Sequence, residues 1–385
     1  MSAFFFDNQK ISCIIGNGKR QIRIFVDRIK KDALQKYLRA FGMEKVLEMS
    51  SLGRGAHGEG WLVRAQGARG QEDFVIKSVR PSGLGHDYPS DRAGMFLLAL
   101  DTYNGLPAHV KALDVLGLQD DGSLKSVGGG KEYYLLMAKA AGTSYFEDLE
   151  QLVKKDSLAP GDRLKIDSLV SYLADIHSLK KTSKELYLRK LRDIIGHGEC
   201  LMGVFDTYPG GAKITPGEMA SIEKKCIDWR AKLKSKFFYR RLCRVHGDFH
   251  PGNIRFHERA SGGKRPRPEF TLLDRSRGPW GEPADDLTAL AINFIFYSVK
   301  KHGRVRGACL EGLNLFFEKY IRLTGDDAVL GVAAPFFAFR GAVVANPVFY
   351  PLLDNAGRRL IFRFIHGVLD SPAFDPARVN DYISS

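Results

Sequence analysis

Residues 245–254 read VHGDFHPGNI. Two histidines, an aspartate, an asparagine, two glycines and a proline fall within ten residues, bounded by apolar positions. A turn that only connects two elements has no need of this set. Asn253 stands five residues after Asp248, and an apolar strand in FTLLDRSRG (270–278) then ends on Asp274. Aspartate, asparagine and a second aspartate have the chemistry of phosphoryl transfer. One carboxylate accepts or orients a hydroxyl proton, while an amide oxygen and the other carboxylate hold Mg²⁺ against nucleotide phosphates. Pro251 and Gly252 would shape the turn that brings them together.

Upstream, SLGRGAHGEGW (51–61) places Gly53, Gly55, Gly58 and Gly60 between two apolar strands. Without a Cβ, such a hairpin lets backbone N–H groups approach phosphate oxygens, although an ordinary flexible hairpin reads the same way. In FVIKSV (74–79), Lys77 sits inside a strand, where a lysine needs an anion or an open sheet face. A helix over SDRAGMFLLALDTY (90–103), with Ser90 as N-cap, and the strand pair VKALDVLGLQ and KEYYLLMAKA follow. Beyond about residue 142 the apolar spacing turns helical, in IDSLVSYLADIHSL, EMASIEKKCIDWRAKLKSKFF, DLTALAINFIFYSV and CLEGLNLFFEKYIRL. The spacing predicts a β-rich front and a helical rear: a strand-plus-helix extension over 1–45, a first lobe over 46–141 and a second over 142–385.

HGDFHPGNI, followed by LLD and EPADDLTAL, resembles the aminoglycoside phosphotransferase and choline kinase family, across roughly residues 46–300. That resemblance implies an α+β, two-lobed protein-kinase-like fold, with ATP or GTP and Mg²⁺ bound between the lobes. It implies Asp248 as catalytic base and Asn253 and Asp274 as metal ligands. Lys77 and the glycines at 53, 55 and 58 would contact the nucleotide phosphates. YYLLMAKAAG resembles the adenine-holding strand and hinge, which brings in Met137 and Lys139. Asp286 resembles the aspartate that begins a helix and braces the catalytic loop, with His246 beside it. LADIHSL resembles the helix before the family's acceptor-binding insertion.

Only twelve residues separate Asp274 from Asp286, too few for a peptide-binding activation segment, so a small-molecule acceptor is expected. His197 and Glu199, in the insertion over about 180–244, could face that acceptor or be plain turn residues. Two departures stand out. No glutamate occurs in 81–107 to pair with Lys77, leaving Asp91, or Asp87, as the nearest acid. Asp274 is followed by Arg275 and Arg277, which could bind an anionic acceptor or the γ-phosphate, or pair with Glu282 or Asp285.

Composition sets the outer limits. With 44% hydrophobic residues in 385, the chain can bury an ample core. Its 58 Lys+Arg against 44 Asp+Glu favour anionic partners and disfavour a polycationic acceptor. The basic clusters, including Arg259, Lys264, Arg265 and Arg267, read as solvated surface before they read as a nucleic-acid groove. Five scattered cysteines without a C-x-x-C pair suggest neither a zinc site nor a disulfide framework, and the cytoplasm is the expected compartment. No apolar run is long enough for a membrane span. The reading is a kinase for a hydroxyl of a small metabolite, with an anionic metabolite as one option. The rival is a catalytically silent kinase-like module that holds nucleic acid or a protein on its basic surface. FRGAVVANPVFYP (339–351) is unusual in composition and suggests only a turn at Asn346-Pro347.

Overall fold

A computed structural model of the chain describes residues 29–384, apart from 56–57, 81–88, 127–131, 211–212, 235–237, 258–267 and 276. The strand expected near 20–26 and the basic tip at 258–267 lie outside the described residues. The chain divides into two compact units between Ala140 and Ala141.

The first unit is β-rich. Helix α1 (Lys31–Leu38) precedes strands β1 (Met43–Arg54), β2 (Gly58–Gly67) and β3 (Gly70–Val79). Helix α2 (Pro89–Tyr103) follows, then β4 (Ala112–Leu118), β5 (Leu124–Ser126) and β6 (Glu132–Ala138). The strands form one sheet in the order β1-β2-β3-β6-β4-β5, antiparallel throughout. The β1–β3 meander needs only tight turns, and β6 then inserts between β3 and β4. Helix α1 is amphipathic and drops Leu34 and Leu38 into the core of Val46, Val63, Ile76, Leu116 and Leu136. It is therefore part of this unit's own core, which burial of apolar surface holds together. Helix α2 begins at Pro89, one residue before the expected cap at Ser90. Proline suits a helix start because its missing N–H is unneeded there.

The second unit is mainly helical. It opens with β7 (Thr143–Ser144), α3 (Tyr145–Leu152), α4 (Pro160–Ser178), α5 (Lys184–Gly196), α6 (Leu201–Asp206) and α7 (Pro216–Lys234). Short strands β8 (Cys243–Arg244), β9 (Ile254–Phe256), β10 (Phe270–Leu272) and β11 (Trp280–Gly281) surround the 245–254 segment. Helices α8 (Pro283–His302), α9 (Gly307–Thr324), α10 (Ala334–Ala345), α11 (Asn355–Asp370) and α12 (Val379–Ser384) complete it. Helix α8 is buried along almost its whole length and forms the unit's axis. A helix buried on nearly every face has to be central. Among the described residues no helix is long and apolar enough to cross a membrane.

The unusual FRGAVVANPVFYP stretch resolves into the end of α10 and the turn beyond it. Asn346 is buried there. Its Oδ1 accepts from Val348 N at 2.8 Å, and its Nδ2 donates to Thr207 Oγ1 at 2.9 Å. The asparagine shapes the turn and ties it to the end of α6.

Candidate active site

In the second unit, Val245 to Asn253 form a buried loop between β8 and β9. Asp286, in the first turn of α8, grips it. Its Oδ1 accepts from Gly247 N at 2.7 Å and its Oδ2 from His246 N at 2.8 Å. The same carboxylate lies 3.2 Å from His177 Nε2 on α4, and His177 Nδ1 pairs with the Tyr320 hydroxyl of α9 at 2.9 Å. Burial alone would raise the Asp286 pKa. Its hydrogen bonds and the two histidines hold it below the usual carboxylate range instead. A carboxylate in the first turn also complements the helix dipole. Gly247 adopts φ +87°, and a Cβ added there would come within 3.3 Å of Arg277 Cβ. Glycine is needed on both counts.

Within the loop, His246 Nδ1 accepts from Asp248 N at 3.2 Å, and Asn253 Nδ2 donates to Asp248 O at 3.0 Å. The asparagine's nitrogen is thus engaged by the loop itself. Its Oδ1 is buried with no hydrogen-bond partner among the described residues. Strand β10 pairs with β9, Leu272 opposite Ile254, and Leu273 N donates to Asn253 O at 2.9 Å. That register delivers Asp274 immediately beyond Asn253. Asp274 is buried and holds φ +55°, a conformation an L-residue rarely adopts and one found at functional sites. An orphaned amide oxygen on Asn253, with a buried carboxylate one residue beyond the Leu273 that pairs with its backbone, fits a hard, oxygen-seeking cation such as Mg²⁺, which needs only one or two protein ligands. Among the described residues no three histidine, cysteine, aspartate or glutamate side chains cluster for a softer metal.

Asp248 is fully buried and meets two arginines on one oxygen. Arg340 Nη1 of α10 donates to Oδ1 at 2.5 Å, and Arg277 Nη1 approaches it at 3.5 Å. Its Oδ2 lies 3.9 Å from His250 Nε2. Burial would raise the Asp248 pKa, but Arg277, His250 and Arg340 together hold it well below the usual range. Arg340 also donates to Gly247 O at 3.0 Å and to Asp285 Oδ1 at 2.8 Å. Lys190 of α5 meets Asp285 Oδ2 at 2.5 Å. One arginine thus links the loop's main chain, its aspartate and the start of α8. The sequence assigned no role to Arg340 or Lys190, and offered Asp285 only as a partner for Arg275 or Arg277. A lone arginine in the apolar run AAPFFAFRGAVVA was the available signal, since it demands a buried acid.

Arg275 corrects one expectation. It does not face an acceptor. Its buried guanidinium turns back onto main-chain carbonyls, Val245 O at 2.9 and 3.0 Å and Pro279 O at 3.1 Å. Glu282 is held by Arg241 at 2.7 Å and by the Tyr187 hydroxyl at 3.0 Å, and Asp285 by Arg340 and Lys190. His197 is exposed and acts locally, its Nδ1 accepting from Glu199 N at 3.2 Å. Glu199 does reach the site, through its carbonyl 3.5 Å from Arg277 Nη2.

In the first unit, Lys77 lies on β3 with Gly60 of β2 opposite on one side and Leu135 of β6 on the other. The glycine turn has a steric reason as well as a chemical one. A Cβ on Gly58 would sit 1.9 Å from Ser78 O, and Gly53 adopts φ +111°. Gly55 N donates to Gly58 O at 2.9 Å and closes the turn. Met137 is half-buried on β6, and the exposed Lys139 pairs with Asp73 at 3.3 Å. The Asp91 side chain and the whole of Asp87 lie outside what is described.

The loop's chemistry gives it a pH signature. Burial pushes the His250 pKa from 6.5 down to about 4, although nearby Asp248 opposes this. A group with a depressed folded pKa binds protons more readily when unfolded. Stability is therefore full near neutrality and falls as pH drops from about 6.5 towards 4. The shift corresponds to roughly 3 kcal/mol. Urea unfolding at pH 7 and pH 4.5 should show the drop, and His250→Asn should flatten it. An equally steep dependence in the variant would assign it to other groups.

The chain resembles solved small-molecule kinases. An ethanolamine kinase from Plasmodium vivax matches with a TM-score of 0.49 and 11% identity, covering 92% of this chain and 86% of that one. A choline kinase from Cryptosporidium parvum gives 0.46 and 8%, covering 92% of each chain. An aminoglycoside phosphotransferase from Streptomyces rimosus gives 0.43 and 13%, covering 76% of this chain and 90% of that one. These proteins belong to the protein-kinase-like fold family. No protein-family model and no curated protein sequence matches the chain.

Proposed function

We propose that the protein is a small-molecule kinase that moves the γ-phosphoryl group of ATP or GTP onto a hydroxyl of its acceptor. The observation that carries this reading is the braced loop. Asp248 is fixed by its own backbone and by Arg340, next to an amide oxygen left open on Asn253 and a carboxylate held at a strained φ on Asp274. A structural turn gains nothing from an unsatisfied buried oxygen, which itself carries a penalty of about 1–3 kcal/mol.

In the proposed reaction the acceptor oxygen forms a bond to Pγ as the bond from Pγ to the β-bridging oxygen breaks. The hydroxyl proton passes to the Asp248 carboxylate, and the leaving oxygen departs with the nucleoside diphosphate. The arginines keep Asp248 ionised and so make it a weak base. That suits a loose phosphoryl-transfer transition state, in which orienting the hydroxyl matters more than full deprotonation. Mg²⁺ bound by Asn253 and Asp274 would neutralise charge on the phosphates. In the first unit, Lys77 and the Gly53–Gly58 turn are assigned to the phosphates, and Met137 and Lys139 to the base, on the family resemblance.

The test is binding and slow hydrolysis of ATP and GTP, with and without Mg²⁺. Asp274→Asn keeps a residue that tolerates positive φ while removing the charge. It should weaken Mg-dependent nucleotide binding at least about tenfold, a loss of one charge-assisted contact of about 1.5 kcal/mol or more. Mg-independent binding, or an Asp274→Asn protein that binds like the wild type, would rule out the metal assignment. A folded wild-type protein that bound neither nucleotide would rule out the kinase.

A further inference from the structure

We propose that Arg277 anchors an oxyanion on the acceptor, so that the substrate is a hydroxylated acid, a carboxylate or a phosphate ester. This rests on the kinase reading above and specifies its acceptor.

The four arginines of the site, Arg275 and Arg340 buried and Arg241 and Arg277 nearly so, are not equally bonded. Arg340 makes three hydrogen bonds of 2.5–3.0 Å. Arg275 makes at least three, of 2.9–3.1 Å. Arg241 makes five of 2.5–3.1 Å, shared between Glu282 and Asp326. Arg277 makes two, to Asp248 Oδ1 and to Glu199 O, and both are 3.5 Å long. That exceeds the ordinary N–H···O range. Its Nε is buried without a partner among the described residues. Yet its side chain is only 12% exposed and packs over the Phe339 ring, 5.0 Å from the centroid. A guanidinium offers five N–H groups in a planar fork that matches a carboxylate or phosphate. Here the fork is preorganised, desolvated and nearly unused.

Its position sets what a ligand would do. Arg277 stands beside Asp248, so an acid held by the fork brings its own hydroxyl to the catalytic carboxylate. Arg340 remains on Asp248 Oδ1, so Arg277 can leave that oxygen without orphaning it. The charges around it are mixed: Lys190 and Arg340 stand with Arg277 against Asp248, Asp285 and Glu199. Recognition would therefore come from the fork and not from a net positive field. A cationic acceptor finds Asp248 and Asp285 already held by basic side chains.

The test uses four probes: D-glycerate, glycerol 3-phosphate, glycerol and ethanolamine. Each is titrated calorimetrically into wild type, Arg277→Ala and Arg277→Lys, with saturating Mg-ADP and again without nucleotide. The two acids should bind, and glycerol and ethanolamine should not. Arg277→Ala should weaken the acids at least about tenfold, the loss expected for one charge-assisted bidentate contact. Arg277→Lys, which keeps charge without the fork, should fall between, and it serves if the alanine variant does not fold. Binding of neither acid, or equally tight binding of glycerol or ethanolamine, would overturn the inference. So would an Arg277→Ala protein that loses a non-hydrolysable ATP analogue but not ADP, because Arg277 would then serve the γ-phosphate. Acid binding through Arg277 in a protein that binds no Mg-nucleotide would keep the oxyanion site and overturn the kinase.

Discussion

Asp248→Asn should lose nearly all phosphoryl transfer while still binding Mg-nucleotide. The amide oxygen can still accept from Arg340, so the local geometry survives, but it cannot take up the acceptor's proton. A positioned general base contributes about 10²–10⁴-fold, and turnover should fall within that range. Nucleotide affinity should change by less than about threefold, under 1 kcal/mol. The check is steady-state turnover beside nucleotide titration on the same preparation. Turnover near the wild-type rate would remove Asp248 from its role. Parallel loss of turnover and nucleotide binding would mean that the substitution disturbed the loop as a whole.

The largest expected effect on stability belongs to Arg340. Arg340→Met keeps the stem's bulk and removes a buried cation that neutralises Asp248 and Asp285 together. Removing one partner of a buried ion pair leaves an uncompensated charge, at about 3–5 kcal/mol. Urea unfolding should show a loss of this order. Adding Asp285→Asn, which removes one of the stranded charges, should restore part of it. A single-variant change below about 1 kcal/mol would place Arg340 among exposed ion pairs, against its burial.

The reach of the sequence followed the range of the interactions. The placement of Asp248, Asn253 and Asp274 along one loop and the strand that follows was legible because it is written locally. A short loop fixes the first two, and a strand paired to the next strand delivers the third. The helices over 160–178, 283–302 and 307–324 were legible because each carries its own apolar period. The role of Arg340 was not legible, because its apolar surroundings demand an acid without saying which, and the partner lies 92 residues away. Arg275 was misread for a related reason. Next to Asp274 in sequence, it appeared bound for the same site. The left-handed turn at Asp274 sends the following side chain back to the carbonyls of Val245 and Pro279. Arg277, two residues on, is the one left facing Asp248. Short strands such as β7 and β8 have two residues each, too few for any period to register.

The span between Asp248 and Arg340 also bears on the order in which the protein is made. The loop's residues leave the ribosome before α10, the helix that neutralises its carboxylate. Until residues 334–345 emerge and dock, Asp248 has no Arg340 to settle against. A chain stalled after the loop carries the loop's full complement of polar residues. It still lacks the contact that fixes the Asp248 carboxylate. Competence is thus deferred until most of the chain has been synthesised.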